Sequence, residues 1–196
     1  MPSNPTILAF DTSAAHCAAA LLRNGEIVAS RAEAMSRGQA ERLMPLLEEV
    51  LTEASCEWSD LSAIGVGIGP GNFTGIRISV SAARGLALGL GVPAVGISGF
   101  DALKELSADG RIPAVPAPRD QVYVQVPGTG PCLLPKVEAD LLGPLFFCSD
   151  PILQAQAIAR LAAQRWRSVS TPPAPLYVRP ADAAPSREVP PVLLDE

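Results

Sequence analysis

The hydrophobic positions in the first half of the chain alternate between strand and helix patterns. Short apolar runs rich in β-branched residues are typical of strands, whereas apolar residues three and four positions apart are typical of a helix. The Asn24-Gly25 pair between two of the runs predicts a β-hairpin. Strands are predicted at residues 6–10, 16–22, 27–33, 63–68 and 94–97, and helices at residues 38–54, 74–90 and 100–106.

The order of these elements is βββαβαβα, a meander of three strands followed by alternation of strands and helices. Antiparallel hairpins followed by such alternation give a mixed sheet with helices on its faces. This is the ribonuclease-H-like order of the actin and sugar-kinase superfamily. We therefore expect an α/β protein with an actin-like ATPase fold, whose N-terminal subdomain spans residues 1–106.

The second half of the chain is richer in proline, and its patterns indicate secondary structure less clearly. Residues 121–126 predict an edge strand, and Ser149-Asp150-Pro151 predicts the start of a helix that runs to about Trp166. We expect residues 107–180 to form a smaller, truncated, Pro-rich second subdomain. The Pro-rich residues 181–196 predict a flexible tail.

The composition and the net charge indicate which binding partners and which cellular compartment to expect. Of the 196 residues 48% are hydrophobic, which is enough for a substantial core and suggests that a partner covers some of the surface. A net charge of −5 makes the chain alone a poor ligand for a phosphate backbone. The four scattered cysteines predict reduced thiols, and no signal peptide or membrane-spanning run is evident. We expect a cytoplasmic protein that does not engage a membrane.

A glycine-rich turn between the predicted strand 63–68 and the helix that follows is the most informative local motif. Glycine accepts positive φ or the close approach of another backbone, and a helix start offers free N–H groups to a phosphate. A phosphate-binding loop and a tight, closely packed turn both fit the motif, although neither the Walker nor the G-x-G-x-x-G spacing is present. The candidate nucleotide or phosphate site comprises Asp11, Thr12, Ser13, Gly69, Gly71, Thr74, Gly75 and Arg77.

The second long helix is apolar around nearly its whole circumference. Its charged residues are Arg77 and Arg84 alone, seven positions apart and therefore on one face. Such a helix must be covered nearly all round, and one sheet covers only one side of it. Small residues along it would let another helix approach closely. The pattern therefore favours a partner interface, with a purely internal packing role as the alternative.

Four stretches together resemble one bacterial family. They are ILAFDTS near the start, the turn GIGPGNFTGIR, the following GLALGLGVP, and a late motif formed by Pro175, Tyr177 and Arg179. The family is TsaB, also called YeaZ, a glycoprotease-like family of the tRNA threonylcarbamoyladenosine pathway. The resemblance is dense over residues 5–105 and looser in the last quarter of the chain.

The resemblance implies a scaffold subunit without catalytic residues of its own. Members of the family pair, through two helices of the N-terminal subdomain, with a larger paralogue, TsaD, that carries the metal and the transfer chemistry. An ATPase, TsaE, docks on that pair. The complex modifies the adenosine beside the anticodon in tRNAs that read codons beginning with A, so tRNA would be met only through the complex. Relatives also form homodimers when alone. The implied interface residues are Leu43, Leu47, Val50, Ile76, Ser79, Val80 and Ala83.

The resemblance also implies what to expect of nucleotide binding and of metal binding by this chain. Asp11 lies where actin-like ATPases hold the water shell of a bound magnesium, although an Asx-type turn is the alternative for this position. The family usually has a second carboxylate where this chain has Pro116-Ala117-Pro118. We therefore expect ATP or ADP, if any, only at an interface shared with the partner. The paralogue's two metal-binding histidines correspond to Gln39 and Leu43, so we expect no metal site.

Two other functions stay open at this point. One is an actin-fold, ATP-dependent phosphotransferase, and the other is a self-associating regulator that uses the same helices to form a homodimer. Independent peptidase activity, which an older label of the family suggests, is not favoured. The sequence contains a single histidine, His16, and no G-x-S-x-G motif.

Overall fold

The computed structural model describes residues 4–107, 110–126, 128 and 130–178, and it builds them around two sheets. The predicted tail at 181–196 and the motif residue Arg179 lie outside the described residues. The first sheet has the order β3-β2-β1-β4-β5. Its strands are β1 (Ile7–Asp11), β2 (His16–Arg23), β3 (Glu26–Ala34), β4 (Ala63–Gly67) and β5 (Ala94–Ile97).

The first sheet is mixed, as the sequence predicts. Strand β1 pairs antiparallel with β2 and parallel with β4, while β3 and β5 occupy the two edges. The helices that accompany the sheet are α1 (Gln39–Glu53), α2 (Phe73–Leu90) and α3 (Gly99–Leu106). The predicted order βββαβαβα and the α/β fold class are thus confirmed, and no element bound differs from the prediction by more than one residue.

The start of α2 is set by a side-chain cap. Asn72 precedes the helix in an extended conformation, and its Oδ1 accepts a hydrogen bond from the Gly75 N–H at 2.9 Å. Capping of this kind satisfies one of the amide groups that the first turn leaves without an intrahelical partner. The helix therefore begins at Phe73, one residue before the predicted start at Thr74.

Both faces of the first sheet are buried at its centre, along β1, β2 and β4. Along β1, Leu8 and Phe10 join α1 and α2 in one core cluster, whereas Ile7 and Ala9 join a second cluster on the opposite face. Successive strand residues point to opposite faces, so a strand covered on both sides reads as a continuous apolar run. All four of these side chains are fully buried.

The helix α5 (Pro151–Arg165) covers the second face of the first sheet. Its alanine-rich side contributes Ala155, Ile158 and Ala162 to the cluster on that face. The approach is close at Gly65 of β4, where a Cβ would lie 3.0 Å from the Ala162 Cβ. The helix thus completes the first unit, which is the first sheet with its helices, although it lies within residues 107–180, which are predicted to form the second subdomain. The remaining subdomain limits stay a prediction.

The second sheet is smaller and has the order β8-β7-β6-β9. Its strands are β6 (Ile112–Ala117), β7 (Gln121–Val124), β8 (Cys132–Pro135) and β9 (Leu145–Phe146), with the short helix α4 (Lys136–Ala139) beside them. The prediction of an edge strand at 121–126 is wrong, because β7 pairs with β6 on one side and with β8 on the other. The two edge strands are β8 and β9, and the last residue of β8, Pro135, has no N–H to donate. Across the described ranges no helix combines the length and apolarity that crossing a bilayer requires.

Candidate functional site and family

The glycine-rich turn packs against the loop between β1 and β2. The Asn72 N–H donates to the Ser13 carbonyl at 2.6 Å, and the Thr12 hydroxyl donates to the Gly75 carbonyl at 2.7 Å. A Cβ at Gly75 would collide with the Thr12 carbonyl oxygen, and one at Gly71 with that of Ser13. Glycine is therefore required at both positions for the contact between two segments of this chain.

This packing corrects part of the predicted phosphate site. Thr12 is fully buried, and the backbone of Thr12 and Ser13 fills the space next to Gly71 and Gly75. A phosphate cannot approach these two glycines without displacing the loop. The turn thus serves tight packing there, which is the second of the two interpretations that the sequence allows.

Asp11, at the end of β1, is hydrogen-bonded to neighbouring residues of the same chain. Its side chain is almost fully buried, and Oδ2 accepts hydrogen bonds from His16 Nε2 at 2.9 Å, from the Ser13 hydroxyl at 2.8 Å and from the Ser13 N–H at 3.2 Å. The bond from the backbone of Ser13 is that of an Asx-type turn. A carboxylate oxygen with three protein donors is poorly placed to organise the water shell of a magnesium ion.

The remaining members of the predicted phosphate site lie apart from Asp11. Gly69 has a positive φ of 93°, and a Cβ there would lie 3.3 Å from the Leu176 carbonyl. Thr74 is exposed on the first turn of α2. Arg77 donates from Nε to the Tyr177 hydroxyl at 2.9 Å and lies 3.7 Å above the Phe73 ring. The eight predicted residues therefore do not converge on one anion site.

A cleft lies where residues of the two sheets come together. Its volume is about 600 Å³, and its lining includes His16 and Asn72 from the first unit and Pro116, Pro118 and Tyr123 from the second. The Pro116-Ala117-Pro118 segment at the end of β6 thus lines the cleft with no carboxylate. Among the residues that the structure describes, none of those that line the cleft is a lysine, arginine, aspartate or glutamate. His16, which the sequence offers only as an ordinary strand residue, is one of the side chains that line this cleft.

The predicted partner-interface residues are part of the chain's own core, which is a correction. The stripe on α1 and the corresponding stripe on α2 face the first sheet, and all of these side chains are at most 3% exposed. The Ser79 hydroxyl, for example, donates to the Gly67 carbonyl at 3.2 Å. Helical spacing identifies a stripe that must be covered, but it does not say whether sheet or partner covers it. The buried residues are Leu43, Leu47, Val50, Ile76, Ser79, Val80 and Ala83.

The opposite flank of the same two helices is exposed and partly apolar. Leu88 on α2 is 86% exposed, and Met44 on α1 is 37% exposed. Two small residues are exposed beside the charges of α2 on this side: Ser81 lies between Arg77 and Arg84, and Gly85 follows Arg84. Beside Leu88, a groove of about 620 Å³ runs between the end of α2 and residues 169–172. We call these exposed parts of α1 and α2 the outer flank.

A charged network occupies the other side of α1, toward β3. Arg42 bonds to Glu33 and to Glu49, and these contacts hold the pKa of each carboxyl below its usual range. Arg31 continues the network to Glu53 at 3.0 Å. These groups are largely exposed, so the network orients α1 on the sheet edge more than it stabilises the fold.

Comparison with known proteins identifies the family. A family model described as "TsaD: tRNA N6-adenosine threonylcarbamoyltransferase" matches residues 25–169. The TsaB protein of Escherichia coli K12, named for tRNA threonylcarbamoyladenosine biosynthesis, is 39% identical over 92 residues, which cover 47% of this chain and 39% of that protein. The chain belongs to the TsaB (YeaZ) family. The solved YeaZ of Pseudomonas aeruginosa superposes with a TM-score of 0.71 at 26% identity, covering 88% of this chain and 99% of that one.

The relatives of this TsaB-family chain differ in how much of their own length the match covers. The match spans only 39% of the E. coli TsaB and 52% of the TsaB from Haemophilus influenzae. An uncharacterised protein of Mycobacterium tuberculosis, Rv3421c, is 30% identical over 92% of this chain and 94% of its own length. The family and its mixed α/β fold are therefore shown.

Proposed function

We propose that the chain is a non-catalytic scaffold subunit of tRNA threonylcarbamoyladenosine biosynthesis that binds and activates TsaD. Membership of the TsaB family supports the pathway, because curated relatives carry that name. The match to the TsaD family model supports a paralogous relationship with the proposed partner. In this proposal the TsaE ATPase docks on the pair, and tRNA is met only through the complex.

The observation that carries the proposal is the exposure of Leu88. A leucine that is 86% exposed in the last turn of a helix, next to an apolar groove, is costly to leave in water when a partner is available. Gly85 and Ser81 on the same side would let a partner helix approach closely. The outer flank replaces the seven buried residues as the proposed contact with TsaD.

The structural environment of Asp11 speaks against the phosphotransferase alternative. Catalysis of phosphoryl transfer depends on oriented groups and metal ions that neutralise the transferring phosphate. Asp11 is instead bound by His16 and Ser13, and the turn beside Gly71 and Gly75 is filled by backbone. If ATP or ADP takes part, we place it at the surface shared with the partner.

The test of the proposed interface compares two leucines of equal exposure. Leu88 on α2 and Leu141 in the second unit are both 86% exposed. We expect Leu88→Glu to weaken co-purification with TsaD at least about tenfold, because binding would bury an unpaired carboxylate. We expect Leu141→Glu to bind TsaD like the wild type. Both variants should keep the wild-type thermal midpoint, since neither side chain is in the core.

Two results would contradict the proposal. Full retention of TsaD by Leu88→Glu would place the interface elsewhere. Steady ATP turnover by the purified chain alone would favour the phosphotransferase.

The self-association alternative is tested by light scattering after size exclusion, because mixing with TsaD should replace a homodimer by a heterodimer. A homodimer that persists beside TsaD would favour the regulator.

A further inference from the structure

We propose that the cleft lined by His16, Asn72 and Tyr123 binds a small, planar, uncharged ligand that donates an N–H group to His16. The proposal concerns the interior of this chain and does not rest on the proposed contact with TsaD. It also differs from the nucleotide site suggested by the sequence, because it assigns the cleft to a ligand without phosphate.

The hydrogen bonds of His16 leave one ring nitrogen for a ligand. The residue is 8% exposed, and its Nε2 lies 2.9 Å from Asp11 Oδ2. That oxygen also accepts from the backbone and hydroxyl of Ser13, so it acts as an acceptor and Nε2 must carry the proton. In the neutral ring Nδ1 is then a hydrogen-bond acceptor. Within the described part of the chain, no group hydrogen-bonds to Nδ1, although His16 lines the cleft.

The composition of the cleft selects against anions. The described part of its lining has no lysine or arginine, and His16 is hydrogen-bonded to the buried carboxyl of Asp11. A phosphate would therefore meet an acceptor nitrogen and no cation, and it would lose its hydration without compensation. A neutral donor pays no such penalty and completes the hydrogen bonding of the imidazole.

The remaining walls suit a flat ring system. Phe73, Leu103 and Pro118 provide apolar surface, and Tyr123 adds an aromatic ring with a polar end. Asn72 uses its carbonyl oxygen to cap α2, which leaves its amide N–H₂ as a donor at the rim. A volume of about 600 Å³ lies within the range of small-molecule sites and is large enough for a nucleoside-sized ligand.

The experiment uses His16 as its own reporter, because it is the only histidine of the sequence. The imidazole nitrogens of the ¹⁵N-labelled full chain are followed by NMR during titration with adenosine, an uncharged planar probe with an exocyclic amine. AMP and ATP serve as charged analogues of the same ring. We expect a saturable shift of Nδ1 with adenosine, binding at least about fivefold weaker for AMP, and weaker again for ATP.

A variant that fills the cleft controls for binding elsewhere. Pro118 lines the cleft and is exposed, so Pro118→Trp should block the cleft without disturbing the core. The variant should retain the wild-type thermal midpoint and lose the adenosine-induced shift. His16→Gln should weaken adenosine about tenfold where it folds, as measured on the Tyr123 ring resonances. Tighter binding of ATP than of adenosine, no saturable shift with adenosine, or an unchanged shift in Pro118→Trp would each overturn the proposal.

Discussion

Arg77 and Tyr177 are hydrogen-bonded to each other across 100 positions of sequence. Arg77 Nε donates to the Tyr177 hydroxyl at 2.9 Å, the guanidinium lies 3.7 Å from the Phe73 ring centroid, and the two aromatic rings are 4.9 Å apart. The Leu176 N–H donates to the Ile68 carbonyl at 2.8 Å next to this cluster. The contacts attach the last described residues to the first turn of α2.

Removal of the Arg77 side chain should release that attachment without unfolding the protein. The cluster is largely exposed, so we expect Arg77→Ala to lower the free energy of unfolding by less than about 1 kcal/mol. Hydrogen exchange at Leu176 should nevertheless become several-fold faster. Arg84→Ala, a change at the other charge of α2, is the control and should leave that amide protected. Unchanged protection of Leu176 in Arg77→Ala would show that other contacts hold the segment.

Two glycines of α2 should respond in opposite directions to the same substitution. At Gly75 a Cβ would collide with the Thr12 carbonyl, so Gly75→Ala should destabilise the chain by at least about 2 kcal/mol. At Gly85 no atom lies within 4 Å of the added Cβ, and alanine should stabilise the helix by about 0.5–1 kcal/mol. Urea unfolding of both variants measures the difference, and a neutral Gly75→Ala would contradict the described packing.

A charge at Val80 should unfold the chain rather than act as an interface probe. Val80 is 3% exposed and lies on the side of α2 that faces the sheet. An unpaired carboxylate there should cost about 3–5 kcal/mol. We expect Val80→Glu to lose its cooperative thermal transition or to shift it strongly downward, whereas Leu88→Glu changes it little. Circular dichroism melts compare the two, and a wild-type melt for Val80→Glu would show that this face of α2 is not core.

Burial of Cys17 predicts a loss of stability at alkaline pH. Desolvation raises the pKa of this thiol from about 9 to about 11. The native state therefore keeps the proton at a pH where the unfolded chain loses it, so the contribution is complete below about pH 9 and declines as the pH rises to 11. Cys17→Ala should show a shallower decline of the free energy of unfolding over this window. Identical pH slopes for the two proteins would contradict the shift.

Reactivity of the thiols offers a second measurement of the same burial. Cys17 and Cys56 are buried, and burial raises the pKa of both thiols. Cys132 and Cys148 are half-buried. Because the thiolate is the reacting form, iodoacetamide at pH 8 should label Cys132 and Cys148 well before Cys17 and Cys56. Mass spectrometry of the labelled, natively folded protein reads the order.

Local sequence patterns determined the elements of the first sheet and their order. The apolar run of β1, the Asn24-Gly25 hairpin and the helical stripe of α1 depend on interactions between residues close in sequence, so their signals survive in the linear chain. The GIGPGNFTGIR turn also required glycine for a backbone reason, and it carried the resemblance to the TsaB family. These features could be predicted because one segment contains all the information that they need.

Only the tertiary structure decided what each surface touches. The periodicity of Leu47 or Val80 marks a face to be covered, but the sheet of the same chain and the helix of a partner satisfy it equally. The return of α5 to the first sheet and the Arg77–Tyr177 contact join segments that lie far apart in the sequence, so no local pattern predicts them. Their energies come from packing and desolvation between distant parts of the chain, and these exist only once the fold has brought the parts together.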